Sequence, residues 1–270
     1  MDNERIIDKI EFSRQSVTYE PHFHNAYEMI YILKGRIRMV FNNRVLTAGP
    51  DSLTFISNLE EHSIALIEEP YERYYVIIPS GPADRMVGDS KLLSLFKNRP
   101  LSFKNVFDVS AIKSEVSGLF AALLEDSRRP DEYAEAGIGC LLKRLLICVY
   151  RNNRDQFPLL RENVRAQVYD VQKYFDRHFR EHISVEEVAG SFYISACYLS
   201  HCFKELTGFS PKRYIMLNRL AYAKNLLANT EMPVSEIAFR SGFNDTNNFI
   251  RHFKEHHNIT PNGLRKTIRT

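Results

Sequence analysis

A chain of 270 residues is long enough for two domains, and 44% hydrophobic with 26% charged residues is an ordinary globular composition. Cys140, Cys148, Cys197 and Cys202 form no CxxC pair, which argues against structural zinc or a disulfide framework and fits a reducing cytoplasm. The net charge of +3 is uneven: from Val164 onward 15 Lys+Arg stand against 10 Asp+Glu, so a polyanion is the expected partner of that end alone.

Residues 5 to about 80 read as short strands. The candidates are "YEMIYIL" (27–33), "RIRMVF" (36–41), "SLTFIS" (52–57), "SIALIE" (63–68) and "RYYVIIP" (73–79). Turn signals separate them at "KG" (34–35), "NN" (42–43), "AGPD" (48–51) and "EEP" (68–70), which predicts an antiparallel sandwich or small barrel. The charged start "MDNERIIDKIEF" has no signal-peptide core, and runs such as "LLICVY" (145–150) are too short to span a bilayer, so a cytoplasmic protein with no membrane partner is expected.

Within this zone "HFHNAYEMIYILKG" places His22 and His24 two apart, Glu28 four further on and Gly35 seven beyond. On a strand, residues 22, 24 and 28 share one parity and face one side. With His62 in "NLEEHSI", three imidazoles and a carboxylate could converge on a divalent metal such as Zn, Mn, Fe or Ni. The stretch resembles the first cupin motif, HxH-x3-E-x6-G, complete from His22 to Gly35, and His62 falls where the second motif would place its histidine. That second motif is degraded: "ISNLEE" stands in place of P-x-G, and no Asn follows His62 by four residues. A metal site, a metal-free effector pocket and a purely structural role all fit these residues. Arg36 and Arg38 alternate with Ile37 and Met39, as either a charged pocket wall, with Arg38 facing an effector, or a solvated face. Tyr27, Tyr31, Tyr74 and Tyr75 are available for stacking, and no ligand is assigned to them.

From Asp108 the period becomes helical. "DVSAIKSEVSGLFAALLED" (108–126) opens on a candidate N-cap and spaces Ile112, Val116, Leu119 and Leu123 for one face. "DEYAEAGIGCLLKRLLICVYRNN" (131–153) is apolar over more than one stripe. It is therefore either wedged between barrel and partner helix or pairs two subunits through a helical hairpin. "RNNRDQFPLLREN" (151–163) reads as a linker.

The last 107 residues, 164–270, contain an internal repeat. "SVEEVAGSFYISACYLSHCFKE" (184–205) matches "PVSEIAFRSGFNDTNNFIRHFKE" (233–255) with an offset of 49 before the turn and 50 after it. Each copy has a short helix with an alanine for close crossing (Ala189, Ala238), a turn, and a second helix that is polar-tipped and apolar later, as a helix-turn-helix requires. "SPKRYIMLNRLAYAKNLLANT" (210–230), opening on Ser-Pro, predicts a connecting helix roughly 30 Å long, close to the ~34 Å turn of B-DNA. Base-edge readout is expected from Ser195, Ala196, Cys197, Ser200 and His201 in the first unit, and from Thr246, Asn247, Asn248 and Arg251 in the second. Lys204, Lys212, Arg213, Lys254, Arg265 and Lys266 are candidates for phosphate contacts.

Over about 100 residues this region resembles the DNA-binding domain of the AraC/XylS transcription regulators, carried by "IA…GF…F.R.FK…..TP…R". Asn258 stands where that family usually has glycine, and Leu264 replaces a frequent aromatic before Arg265. The resemblance implies a bipartite double-stranded-DNA reader that usually activates transcription, with RNA polymerase as a further partner. The expected fold is α+β in two domains: an antiparallel cupin-like barrel with a helical hairpin, then an all-α double helix-turn-helix. Expected boundaries are 1–107 for effector sensing, 108–153 for homodimerisation, 154–163 for the linker and 164–270 for DNA binding. The expected function is an effector-controlled transcription regulator rather than an enzyme. The alternative is a cupin metalloenzyme fused to a DNA-binding tail.

Overall fold

The computed structural model describes residues 6–16, 18–41, 44–97, 99, 103–129, 131–157 and 164–269, which form two compact units, Met1–Leu160 and Arg161–Thr270. The first is built on antiparallel strands β1 (Lys9–Ser13), β2 (Tyr19–His22), β3 (Tyr27–Phe41), β4 (Arg44–Ala48), β5 (Ser52–Ile56) and β6 (His62–Ile78). Helices α1 (Ser80–Val87) and α2 (Ser90–Leu93), strand β7 (Val106–Asp108), and helices α3 (Lys113–Asp126) and α4 (Ala134–Asn152) complete it. The sheet order is β1-β6-β3-β5-β7, with β2 added on β6 and β4 on β3.

Two strands are longer than the sequence predicts. "KG" and "EEP" do not reverse the chain: 27–33 and 36–41 are one strand, β3, and 63–68 and 73–78 are one strand, β6. The register between them shifts around Lys34 and Arg36 instead, which is a bulge. Gly35 makes it possible, with φ +81° and no room for a side chain: a Cβ there would lie 2.6 Å from the carbonyl oxygens of Glu68 and Pro70. The irregularity switches strand parity, so the even residues Ile30 and Ile32 share an interior with the odd Ile37, Met39 and Phe41. On β6 the same switch joins Ile64 to Tyr71. The predicted turn at 42–43 lies outside the described residues.

The other face of β3 and β6 packs on helices. Tyr31 and Tyr74 both stack on Phe120, at 5.4 and 5.6 Å between ring centres, and Tyr27 stacks on Phe96 at 4.5 Å. Asp108 ends β7 rather than capping α3 directly; its carboxylate accepts from Ser110 N at 2.8 Å, in a 3-10 turn (Ser110–Ile112) that leads into the helix. On α3, Val116 and Leu123 are buried as spaced, with Phe120 between them, while Ile112 and Leu119 pack on the edge of the same core. The apolar width of α4 is largely used by that core: Ile138, Leu142, Leu145, Leu146 and Val149 are buried, and Leu141, Ile147 and Tyr150 lie half-buried against it. Of the predicted linker, residues 158–163 lie outside the described residues.

The second unit is all helical: α5 (Val164–His178), α6 (Val185–Ser191), α7 (Ala196–Thr207), α8 (Pro211–Asn229), α9 (Val234–Arg240), α10 (Thr246–His257) and α11 (Pro261–Arg269). The repeat is exact in length: α6 and α9 have 7 residues each, α7 and α10 have 12. Both turns close alike, with Ile194 N donating to Ala189 O and Phe243 N to Ala238 O, each at 3.0 Å. The left-handed position is Tyr193 (φ 57°) in the first turn and Gly242 (φ 87°) in the second, so the extra residue falls between that closure and the next N-cap. Ser184, Ser195, Ser210 and Asp245 cap α6, α7, α8 and α10 through their side chains. Asn258 caps α10 in the left-handed conformation at φ 53°, which an asparagine tolerates. Ala189 and Ala238 are buried at the helix crossings; Ile237, Phe243, Phe249 and Phe253 pack against Leu220, Ala223 and Leu227 of α8.

Candidate functional site

The first unit holds a cavity of about 210 Å³ against the sheet; its polar wall is made by Lys9, Tyr19, His22, His24, Glu28, His62, Arg73 and Tyr75. Strand pairing sets two of the histidines side by side, because His22 at the end of β2 faces His62 at the start of β6. Their rings are 4.3 Å apart, and His24 lies 5.3 Å from His62. His24 is not on a strand: it sits in the connection between β2 and β3, so its approach comes from that turn and not from shared parity. One ring nitrogen from each of the three histidines lies within 4.8 Å of the others.

The hydrogen bonds fix how these rings point. Nδ1 of His22, His24 and His62 each meets a backbone carbonyl, of Glu20 at 2.9 Å, Ala26 at 3.1 Å and Glu60 at 2.9 Å. A carbonyl only accepts, so each Nδ1 carries a proton and each Nε2 is left for the cavity. Glu28, at the start of β3, places Oε2 2.9 Å from His24 Nε2 and 3.4 Å from His62 Nε2. Beyond that long contact with Glu28, His62 Nε2 is buried with no other partner among the described residues. Burial alone would raise the Glu28 carboxyl, but the His24 and His62 hydrogen bonds outweigh it and hold the group at about 2. Desolvation and the neighbouring His62 push His22 down to about 4. For His62 burial works downward, and the Glu28 carboxylate overcomes it and raises the group.

The structure brings His22, His24, Glu28 and His62 together and leaves Arg38 out. Arg38 is exposed and absent from the cavity lining, because beyond the parity switch its neighbours Ile37 and Met39 take the interior. The cavity arginine is Arg73, only 4% exposed, which the sequence reading missed. Its signal was the alternation Tyr71-Arg73-Tyr75, one face of one strand. Of the four tyrosines noted, Tyr75 alone lines the cavity; the other three face the helical layer.

In the second unit the predicted readers lie along α7 and α10. Cys197, His201 and Lys204 are exposed, with Ala196 and Ser200 half-buried between them. Ser195 is the N-cap, its hydroxyl accepting from Tyr198 N at 3.2 Å, and His201 faces Glu205 at 3.3 Å. On α10 Asn247, Asn248, Arg251 and Lys254 are exposed and Thr246 half-buried. Arg251 Nη2 donates to Asn248 Oδ1 at 2.9 Å, which holds the guanidinium against the surface of the helix. Lys212, Arg213 and Lys266 are exposed, whereas Arg265 is tied into the fold by donating to Met232 O at 2.6 Å.

Residues 7–142 match the family described as the AraC-like ligand binding domain, and residues 188–267 match a helix-turn-helix domain family. The chain belongs to the AraC family of transcription regulators. It is similar to the HTH-type transcriptional activator RhaS of Klebsiella pneumoniae (strain 342), 25% identical over 92% of this chain and 88% of the relative. The RhaS of Escherichia coli O81 (strain ED1a) is 24% identical over 96% of this chain and 95% of its own length. Among solved structures, ToxT from Vibrio cholerae shares the fold at TM-score 0.63 and 16% identity, covering 97% of each chain. An AraC-family member with both matches is a DNA-binding transcription regulator with a ligand-binding domain. No helix among the described residues is long and apolar enough to cross a membrane.

Proposed function

We propose that this AraC-family chain is a one-component activator, acting by binding and not by catalysis. A small-molecule effector beside His22, His24, Glu28 and His62 selects one arrangement of a homodimer and so places two DNA-binding units on spaced half-sites. The observation that carries the reading is the polar-walled cavity of about 210 Å³ in a chain whose other unit presents two polar-tipped helices. Residues 1–107 sense, 108–153 pair two copies, 154–163 link and 164–270 bind DNA, in the cytoplasm. Relatives named as activators support activation, with RNA polymerase as the contact.

On DNA, Ser195, Ala196, Cys197, Ser200, His201, Thr246, Asn247, Asn248 and Arg251 face base edges, and Lys204 and Lys254 neutralise phosphates. α8, at ~1.5 Å per residue, spaces the two reading helices by about one duplex turn. Genome-wide mapping of binding sites, repeated with compounds that stabilise the full chain, tests the coupling. The expected result is a change in DNA affinity or half-site spacing. A compound that occupies the cavity while DNA affinity, geometry and transcription stay unchanged refutes it.

A specific observation favours a second reading, in which the same cavity holds a divalent metal. Both ring nitrogens of His24 face oxygen acceptors, so either a second ring proton or a cation must lie between His24 and Glu28. The Nε2 of His62, held only by a 3.4 Å contact to Glu28, and the three Nδ1–carbonyl bonds suit metal ligation, since such bonds orient ligating imidazoles. His22, His24 and His62, with Glu28, would hold the ion, which would offer a Lewis-acid anchor for an effector oxygen. Metal analysis of protein purified without a tag or chelator decides it: one equivalent supports this reading, and none removes it.

A further inference from the structure

Arg73 is a buried charge with little compensation among the described residues. The side chain is 4% exposed, and a buried guanidinium needs acceptors or a counter-charge to offset its lost hydration. Nη1 donates to Gln15 O at 2.9 Å, and no other acceptor bonds the fork among the described residues. No carboxylate lies within 4 Å of it among the described residues; Glu11 acts on it at longer range only, and its oxygens are bonded elsewhere. Glu11 accepts from the Tyr75 hydroxyl at 2.8 Å and pairs with Lys9 at 3.2 Å, while Glu28 is held by the histidines. The guanidinium instead stacks on Tyr71 and Tyr75, 4.5 and 5.6 Å from the ring centres. This contact gives partial compensation and clamps the plane of the fork. Tyr71, 2% exposed, has a hydroxyl with no partner among the described residues.

From this geometry we infer that the effector of the cavity is a small oxyanion, a carboxylate or phosphate, gripped by the Arg73 fork. The inference rests on the effector reading above and names the chemical class of that ligand. A planar guanidinium offers five N–H donors in a fork that fits two oxygens of one oxyanion, and the stacked tyrosines hold that fork in place. The cavity, about 210 Å³, is below the ~300–1,000 Å³ of drug-sized sites, so the ligand is of metabolite size. A neutral polyol in the same cavity would leave the Arg73 charge uncompensated.

The test is titration of the chelator-treated full chain with acetate and, separately, inorganic phosphate, followed by NMR of the arginine Nε–H groups. The neutral counterparts are acetamide and glycerol. Arg73→Gln and Arg73→Lys identify the signal and show how much phosphate binds the basic second unit instead. The expected result is a saturable shift of the Arg73 resonance by at least one anion and by neither neutral probe. Affinity for that anion, measured by titration calorimetry, should fall at least tenfold in Arg73→Gln and partly return in Arg73→Lys. The stronger anion shows whether a carboxylate or a phosphate is the natural headgroup. Calorimetric binding of a neutral probe that Arg73→Gln leaves intact overturns the oxyanion inference while the effector reading stands. No saturable response of the wild-type Arg73 signal to either anion also overturns it, even where the variants do not fold.

Discussion

Replacing Glu28 by Gln isolates the electrostatics that hold the cavity together. In the folded chain the Glu28 carboxyl lies at about 2, against an ordinary 4.5. At ~1.4 kcal/mol per unit, that depression corresponds to roughly 3 kcal/mol of folding stability. For a unit of this size each kcal/mol moves the melting temperature by about 2–4 °C, so Glu28→Gln should melt roughly 6–12 °C lower at pH 6. Because the folded value is depressed, the contribution is complete above 4.5 and disappears as pH falls from 4.5 toward 2. His62 has the opposite sense. Its folded value is raised above 6.5, so its share is present below 6.5 and lost as pH rises through that higher value. The gap between wild type and variant should therefore be widest between about 4.5 and 6.5. His22, pushed down to about 4, weakens the fold as pH falls from 6.5 toward 4, and it does so in both proteins. Scanning calorimetry of the full chain in chelator at pH 6, 4 and 3 measures the gap. Equal melting at pH 6, or the same gap at pH 6 and pH 3, refutes the reasoning.

Gly35→Ala should destabilise the first unit by more than about 3 kcal/mol, since a left-handed residue there also meets two carbonyls at 2.6 Å; urea unfolding checks it, and a loss below about 1 kcal/mol contradicts the bulge argument. Equivalent turn positions of the second unit should respond with opposite signs. Tyr193→Gly, at a residue 94% exposed with φ 57°, should gain about 0.5–1 kcal/mol. Gly242→Ala, whose Cβ would lie 2.7 Å from Arg180 O, should lose about 2 kcal/mol or more in the same denaturant assay. On an operator found by selection, Arg251→Ala should weaken binding by about 1–3 kcal/mol while scrambled DNA changes little, and His201→Ala should do less. Fluorescence anisotropy measures both, and equal losses on specific and scrambled DNA would make Arg251 a phosphate contact instead.

The second unit was legible in sequence because its determinants are local. Helix caps, an alanine at each crossing and a repeat with one added residue can all be read within a few turns, and α6, α7, α9 and α10 begin where the 49 and 50 offsets place them. The histidines and Glu28 were legible as a set, but the reason offered for their convergence was incomplete, since His24 approaches through a turn. What tertiary structure alone decided was which arginine faces the cavity. Alternation along one strand can be counted in the sequence, but the side to which it points after a bulge depends on pairing between β3 and β6. Gly35 absorbs that irregularity through long-range contact with Glu68 and Pro70, and the switch it creates turns Arg38 to solvent while Arg73 is buried.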